Sequence, residues 1–180
     1  CFLDRFGPPT FDTGMPMDVA PHPHMGLQTV TWLLDGEVMH DDSLGCEAVL
    51  RPGGLNVMTS GDAIAHAERT PAQNTGRLNG VQLWTALPDA HRRTVPSFQH
   101  LADVPALELR GGIVRVFCGG LLGAVSAARH YSDLLGADLE VHRGEALTLP
   151  LQPHFEYALL VLAGEASLEG HRLEGRVLYY

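Results

Sequence analysis

From residue 29 to residue 87 the chain keeps one rhythm: four to eight apolar or β-branched residues, then a turn rich in glycine, proline or aspartate. "TVTWLL" precedes Asp35-Gly36, and "EVMH" follows it. "DDSLG", "RPGG" and Ser60-Gly61-Asp62 then separate "CEAVLR", "LNVMTS" and "AIAHAE", and "GVQLWTAL" comes next. Runs this short do not make long helices. Turn signals every ~8–12 residues describe an antiparallel sandwich or barrel.

Asp-Gly readily adopts the positive φ of a tight turn, so "TVTWLL" and "EVMH" are expected to form a hairpin about Asp35-Gly36. The stretch "RRTVPSFQHLADVPAL" breaks the rhythm and reads as a helical turn plus a crossing segment. Strands resume at "GGIVRVFCGG", "LEVHRGEALTLPL", "YALLVLAGEASL" and "HRLEGRVLYY". A short repeat links the halves: "TVTWLLDGEV" aligns with "YALLVLAGEA" at an offset of 128 residues. The expected organisation is a first β module at 1–95, a linker at 96–112 and a second module at 113–180. The second is expected to be incomplete because the sequence stops at Tyr180, and the start at Cys1 rather than Met suggests a fragment or a renumbered chain.

Of the 180 residues 45% are hydrophobic and 18% charged, enough to bury a core. The net charge of −9, with Arg92–Arg93 the only adjacent basic pair, argues against direct nucleic-acid binding. All twelve basic residues are Arg, which removes Schiff-base and phosphate-loop lysine chemistry. No apolar run reaches the ~18 residues of a membrane span, and no secretory leader is evident. Cys1, Cys46 and Cys118 have no paired spacing, which fits a reducing compartment. The expected location is the cytoplasm, and the nucleus as well in a eukaryote.

Residues two apart on a strand face the same way. His22 and His24 in "HPH" therefore project together, with Pro23 restricting the backbone between them. His66 and Glu68 repeat the spacing in "AIAHAE". In a rolled sheet the two pairs can converge. Three imidazole nitrogens and one carboxylate suit Fe(II), Mn, Co, Ni, Cu or Zn, and an octahedral ion so held keeps two positions open. At the repeat offset, His22 and His24 correspond to Pro150 and Gln152, so the second module lacks the pair.

These residues, in "HPHMGLQTVTWLLDGEVMHDDSLG", "RPGGLNVMTSGDAIAHAE" and "GVQLWTALP" followed by "VPSFQHL", resemble the pirins, two-domain members of the cupin superfamily. The resemblance is specific over residues 3–101 and looser beyond. It implies an all-β chain of two tandem cupin-type jelly-roll barrels, with one divalent transition metal, Fe(II) foremost, on His22, His24, His66 and Glu68. It also implies a quercetin 2,3-dioxygenase-like enzyme acting on a flavonol-type aromatic with O₂. There Glu68 would both hold the metal and take the substrate's hydroxyl proton. The alternative is a non-enzymatic iron switch that acts as a transcriptional or metabolic co-regulator through a protein partner.

Other signals carry less. "GGLLGA" at 119–124 lacks the order of a dinucleotide loop and reads as turn glycines. His154 and Glu156 have no partner pair nearby. His40 with Asp41 and Asp42 could be a second, weak metal site, but a solvated turn explains them more simply. Ser60 is not in a nucleophile elbow. Trp32, Trp84 and Met58 read as core, some of them at the mouth of the barrel.

Overall fold

The computed structural model describes residues 2–7, 17–175 and 178–179, and among these every regular element is a β-strand. Among the described residues no helix is long and apolar enough to cross a membrane. The all-β expectation holds. Cys1 lies outside the described residues, while Cys46 and Cys118 are free thiols. The chain divides into two units, Cys1–Thr148 and Leu149–Tyr180.

In the first unit, nine strands make two antiparallel sheets: β1 (Phe2–Phe6), β2 (Asp18–His24), β3 (Leu27–Gly36), β4 (Val38–Asp42), β5 (Glu47–Leu50), β6 (Leu55–Thr59), β7 (Ile64–Arg69), β8 (Leu78–Ala86) and β9 (Ser97–Leu101). One sheet runs β1-β8-β3-β6-β9, the other β2-β7-β4-β5. Alternation along β3 sends Thr29, Thr31 and Leu33 to one face and Val30 and Trp32 to the other. The register sets Thr31 against Gln82 of β8 and Asn56 of β6. Gln82 in turn hydrogen-bonds Glu68 of the other sheet, so this face looks into the space between the sheets. Leu33, Val38, Leu50 and Leu78 plug one end of that space, joined by Phe6 and Met17. Burying each such side chain stabilises by roughly 1.5–3 kcal/mol.

The outer face of the five-stranded sheet is covered too. Trp32 stacks on Phe117, with ring centroids 5.5 Å apart. Phe117 belongs to a third antiparallel sheet of β10 (Ala106–Leu109), β11 (Gly112–Cys118) and, beyond the small hairpin of β12 (Gly120–Leu121) and β13 (Ala124–Val125), β14 (Gly136–Val141). The hairpin accounts for the glycines of "GGLLGA": Gly119 and Gly123 have φ of 67° and 85°. Segment 96–112, expected to be a linker, instead supplies β9 and β10. Pro96 and Pro105 stop short of each strand, and β9 sits at a sheet edge, where flanking prolines cost no ladder bonds. The strand expected across "LEVHRGEALTLPL" ends at Val141. A turn closed by Glu145 N–H on the His142 carbonyl follows it, and Pro150 and Pro153 withhold donors from any ladder beyond.

The hairpin expected at Asp35-Gly36 does not form. β3 pairs with β6 and β8, while β4 pairs with β5 and β7. At Gly36, φ +84°, the chain passes from one sheet to the other, and a Cβ there would run into the Arg77 carbonyl oxygen. The repeat behaves alike. In the second unit β15 (Leu159–Leu160) pairs with β18 (Leu178–Tyr179), and β16 (Ala166–Leu168) with β17 (His171–Leu173). Gly164, φ +72°, stands between the two pairings. A positive-φ glycine is thus read equally well as a two-residue turn or as a crossing, and in both copies it is a crossing. Gly36→Ala is expected to cost roughly 1–3 kcal/mol from its backbone conformation alone, lowering the thermal midpoint by several degrees. An unchanged midpoint in calorimetry would contradict the crossing.

Candidate metal centre

β2 and β7, far apart in sequence, are neighbours in the four-stranded sheet. His22 lies opposite His66, and an irregularity in β2 between Val19 and His22 sets that register. His22, His24 and His66 bring three ring nitrogens within 4.8 Å of one another. Their ring centroids are 4.5–5.0 Å apart. A second triplet, His40, His66 and Glu68, meets the same limit, and His66 belongs to both. His40 comes from β4, on the other side of β7, where it stands opposite Glu68.

The hydrogen bonds sort these nitrogens. His22 Nδ1 donates to the Ala20 carbonyl at 2.9 Å, leaving Nε2 as its free donor atom. His24 Nε2 and His66 Nε2 are buried and have no hydrogen-bond partner. Orphaned buried nitrogens are costly unless something meets them. Here both rings stand with His22 in one cluster whose nitrogens a single cation could meet. Residues of this chemistry fit a transition metal.

Electrostatics keeps the rings ready. Burial, helped by neighbouring His22, lowers the His24 pKa. Burial and the crowding of His22, His40 and His24 push that of His66 down to about 3. Both imidazoles are therefore neutral at physiological pH, the state that can ligate. Glu68 is buried, and that burial raises its carboxyl above the usual range although Gln82 opposes it. Gln82 Nε2 donates to both Glu68 oxygens, at 2.9 and 3.0 Å, and lies 3.1 Å from Thr31 Oγ1. Trp84 Nε1 donates to Gln82 Oε1 at 2.9 Å, and the Trp84 ring stands edge-on to His24 at 4.8 Å. Phe2 packs edge-on against Trp84 at 6.0 Å.

Comparison with known proteins agrees with this architecture. Residues 1–85 match the family model described as Pirin. Across all 180 residues the chain is 44% identical to a Pseudomonas aeruginosa protein whose name assigns quercetin 2,3-dioxygenase activity only provisionally. It is 39% identical over 179 residues to a pirin-like protein of Caulobacter vibrioides. The chain belongs to the pirin family. The crystal structure of a protein named quercetin 2,3-dioxygenase, from Acinetobacter baumannii, superposes on 97% of this pirin with a TM-score of 0.92 at 42% identity. The chain spans 57% of the Pseudomonas protein, 62% of the Caulobacter protein and 58% of the Acinetobacter chain.

Of the four residues the sequence singles out, this pirin gathers His22, His24 and His66 in one triplet, and Glu68 joins through His66. His154 and Glu156 are exposed and belong to no such group among the described residues. Ser60 is structural: its hydroxyl donates to the Leu27 carbonyl at 2.6 Å and accepts from the Leu27 N–H at 3.0 Å. Trp32 and Met58 are core residues, as expected.

His40 is where the sequence reading fails. It is 2% exposed, not part of a solvated turn, and the Asp42 side chain is fully buried. Its flat stack on Phe98, 4.0 Å and 3° between rings, shuts out water. The signal was present: Val38, His40 and Asp42 share the i, i+2 spacing that flags His22 and His24. Gln82 and Trp84 share it too, but neither is titratable, so neither stands out in the sequence.

Proposed function

We propose that this pirin is a metal-dependent dioxygenase of flavonol-type aromatics, its metal held by His22, His24, His66 and Glu68. The observation that carries the reading is the pair of buried, unpartnered nitrogens, His24 Nε2 and His66 Nε2, beside His22 and beneath Trp84. The similarity to the Acinetobacter protein named quercetin 2,3-dioxygenase supports the substrate class. When bound, the ion would supply a Lewis acid with open coordination positions for substrate and O₂.

The chain's own residues do the rest. The half-buried Trp84 offers an aromatic wall against which a planar ring can stack. Glu68, its carboxyl shifted upward by burial, is a competent acceptor for the acidic hydroxyl proton of an enediol-type substrate. Gln82, with its amide shared between Glu68 and Thr31 and anchored by Trp84, fixes the direction of that carboxylate. The imidazoles of His24 and His66 stay neutral and leave their lone pairs for the ion.

The test is O₂ consumption with quercetin, followed on protein whose metal content has been measured. Uptake that scales with bound metal and stops on chelation is expected. Metal-replete protein that consumes no O₂ with quercetin or other flavonols would overturn the reading.

A further inference from the structure

Two buried polar side chains beside the candidate metal centre, His40 and Asp42, lie outside the proposed ligand set. Asp42 Oδ1 accepts the backbone N–H groups of Leu44 at 2.8 Å and Cys46 at 3.1 Å, and Asp42 Oδ2 lies 3.0 Å from His40 Nε2. His40 Nδ1 lies 3.4 Å from His66 Nδ1. From this geometry we infer that Asp42 and His40 form a hydrogen-bond relay that sets the tautomer of His66 and so presents its Nε2 lone pair to the metal.

The order of donors follows from counting protons. A carboxylate receiving three N–H groups only accepts, so His40 carries its proton on Nε2. The two facing Nδ1 atoms, 3.4 Å apart, have room for only one proton between them; with it on His66, the bare Nδ1 of His40 accepts from His66 Nδ1–H. His66 Nε2 is left unprotonated, and that is the buried atom without a partner. Phe98, stacked flat on His40, holds the ring in plane for both bonds. His40 and Asp42 are positioning residues here, since they act through His66. The strand register supports the link: Asp42 stands opposite His66 across the β4–β7 ladder, and His40 opposite Glu68.

An isosteric change should reverse the whole chain. In Asp42→Asn the Leu44 and Cys46 N–H groups still require an oxygen at their position, so the amide NH₂ must face His40. His40 then accepts at Nε2 and carries its proton on Nδ1. His66 must accept there and protonate Nε2, which closes it to a metal. A glutamine at 40 has the opposite consequence. Its amide oxygen and nitrogen are spaced much like the two imidazole nitrogens, so it can accept from His66 and donate to Asp42.

The inference rests on His66 being a metal ligand, and the experiment separates the two. Zn(II) affinity is measured by chelator competition on the whole chain, and the His66 tautomer by ¹⁵N shifts in the metal-free protein. Asp42→Asn and His40→Leu are expected to weaken Zn(II) binding about 10- to 100-fold, while His40→Gln binds close to the parent. Asp42→Asn is also expected to move the His66 proton from Nδ1 to Nε2, a change that mere structural support would not produce. If His66→Ala loses Zn(II) but Asp42→Asn binds as the parent does, the relay is wrong and the metal centre stands. If His66→Ala binds as the parent does, both fall. Two zinc ions per chain would also overturn the relay, because His40 Nδ1 would then be a ligand rather than an acceptor.

Discussion

His66→Ala is expected to weaken metal binding on the order of 10²- to 10³-fold and to lower O₂ consumption with it, while leaving the metal-free fold intact. His66 is the residue common to both donor triplets, so no rearrangement of the remaining three histidines and Glu68 replaces it. Four-ligand zinc sites bind with about 10–16 kcal/mol, so losing one ligand of four weakens affinity on the order of 10²- to 10³-fold. The stability effect runs the other way from an ordinary core truncation. In the metal-free protein His66 is a buried ring with an unmet nitrogen, crowded by His22, His24 and His40 at 4.5–5.2 Å. Removing it relieves that crowding while opening a small void, and the two effects offset. Metal titration and calorimetry on the same preparation check the pair of outcomes. Retained affinity would remove His66 from the site.

Glu68→Gln separates chemistry from binding. The variant keeps an oxygen to face Gln82 and the site but loses the carboxylate's basicity. General-base contributions are typically 10²- to 10⁴-fold, and a loss of that size in turnover is expected with part of the metal retained. The same change stabilises the metal-free protein at neutral pH. The Glu68 carboxyl is raised in the folded chain, so the folded state holds its proton more tightly than the unfolded state does. Its ionised form is therefore the unfavourable one, and its destabilising effect grows as pH rises above the ordinary carboxyl value. Gln at 68 removes that dependence. Turnover equal to the parent's would end the proton-transfer role; a metal-free midpoint below the parent's would contradict the burial argument.

Strand periodicity made most of the fold legible, but not the pairing. "LNVMTS", "AIAHAE" and "GVQLWTAL" became β6, β7 and β8 because alternation survives any topology. What local sequence could not say is which sheet each strand joins. Gly36 is the instructive case: its positive φ is required in either reading, and only the packing against Arg77 makes it a crossing. In "SFQHL", prolines on either side hid an edge strand whose Phe98 closes over His40.

The donor cluster was legible where its residues are titratable and spaced by two, in His22, His24, His66 and Glu68. His40 and Asp42 have that spacing as well, yet Asp41 between them and the glycine turn after them gave the segment a solvated look. Burial by Phe98 from a strand nearly sixty residues away is what makes His40 part of the centre. Gln82 and Trp84 stayed hidden because a neutral side chain on the inner face of a strand looks like packing until its carboxylate partner is seen.

The central claim is that one cation sits among His22, His24, His66 and Glu68. The most direct measurement is anomalous diffraction at the metal edge from crystals of the metal-loaded protein. A single peak about 2.0–2.2 Å from the three imidazole nitrogens and a Glu68 oxygen is the predicted result. A peak elsewhere, or none at full loading, would contradict it.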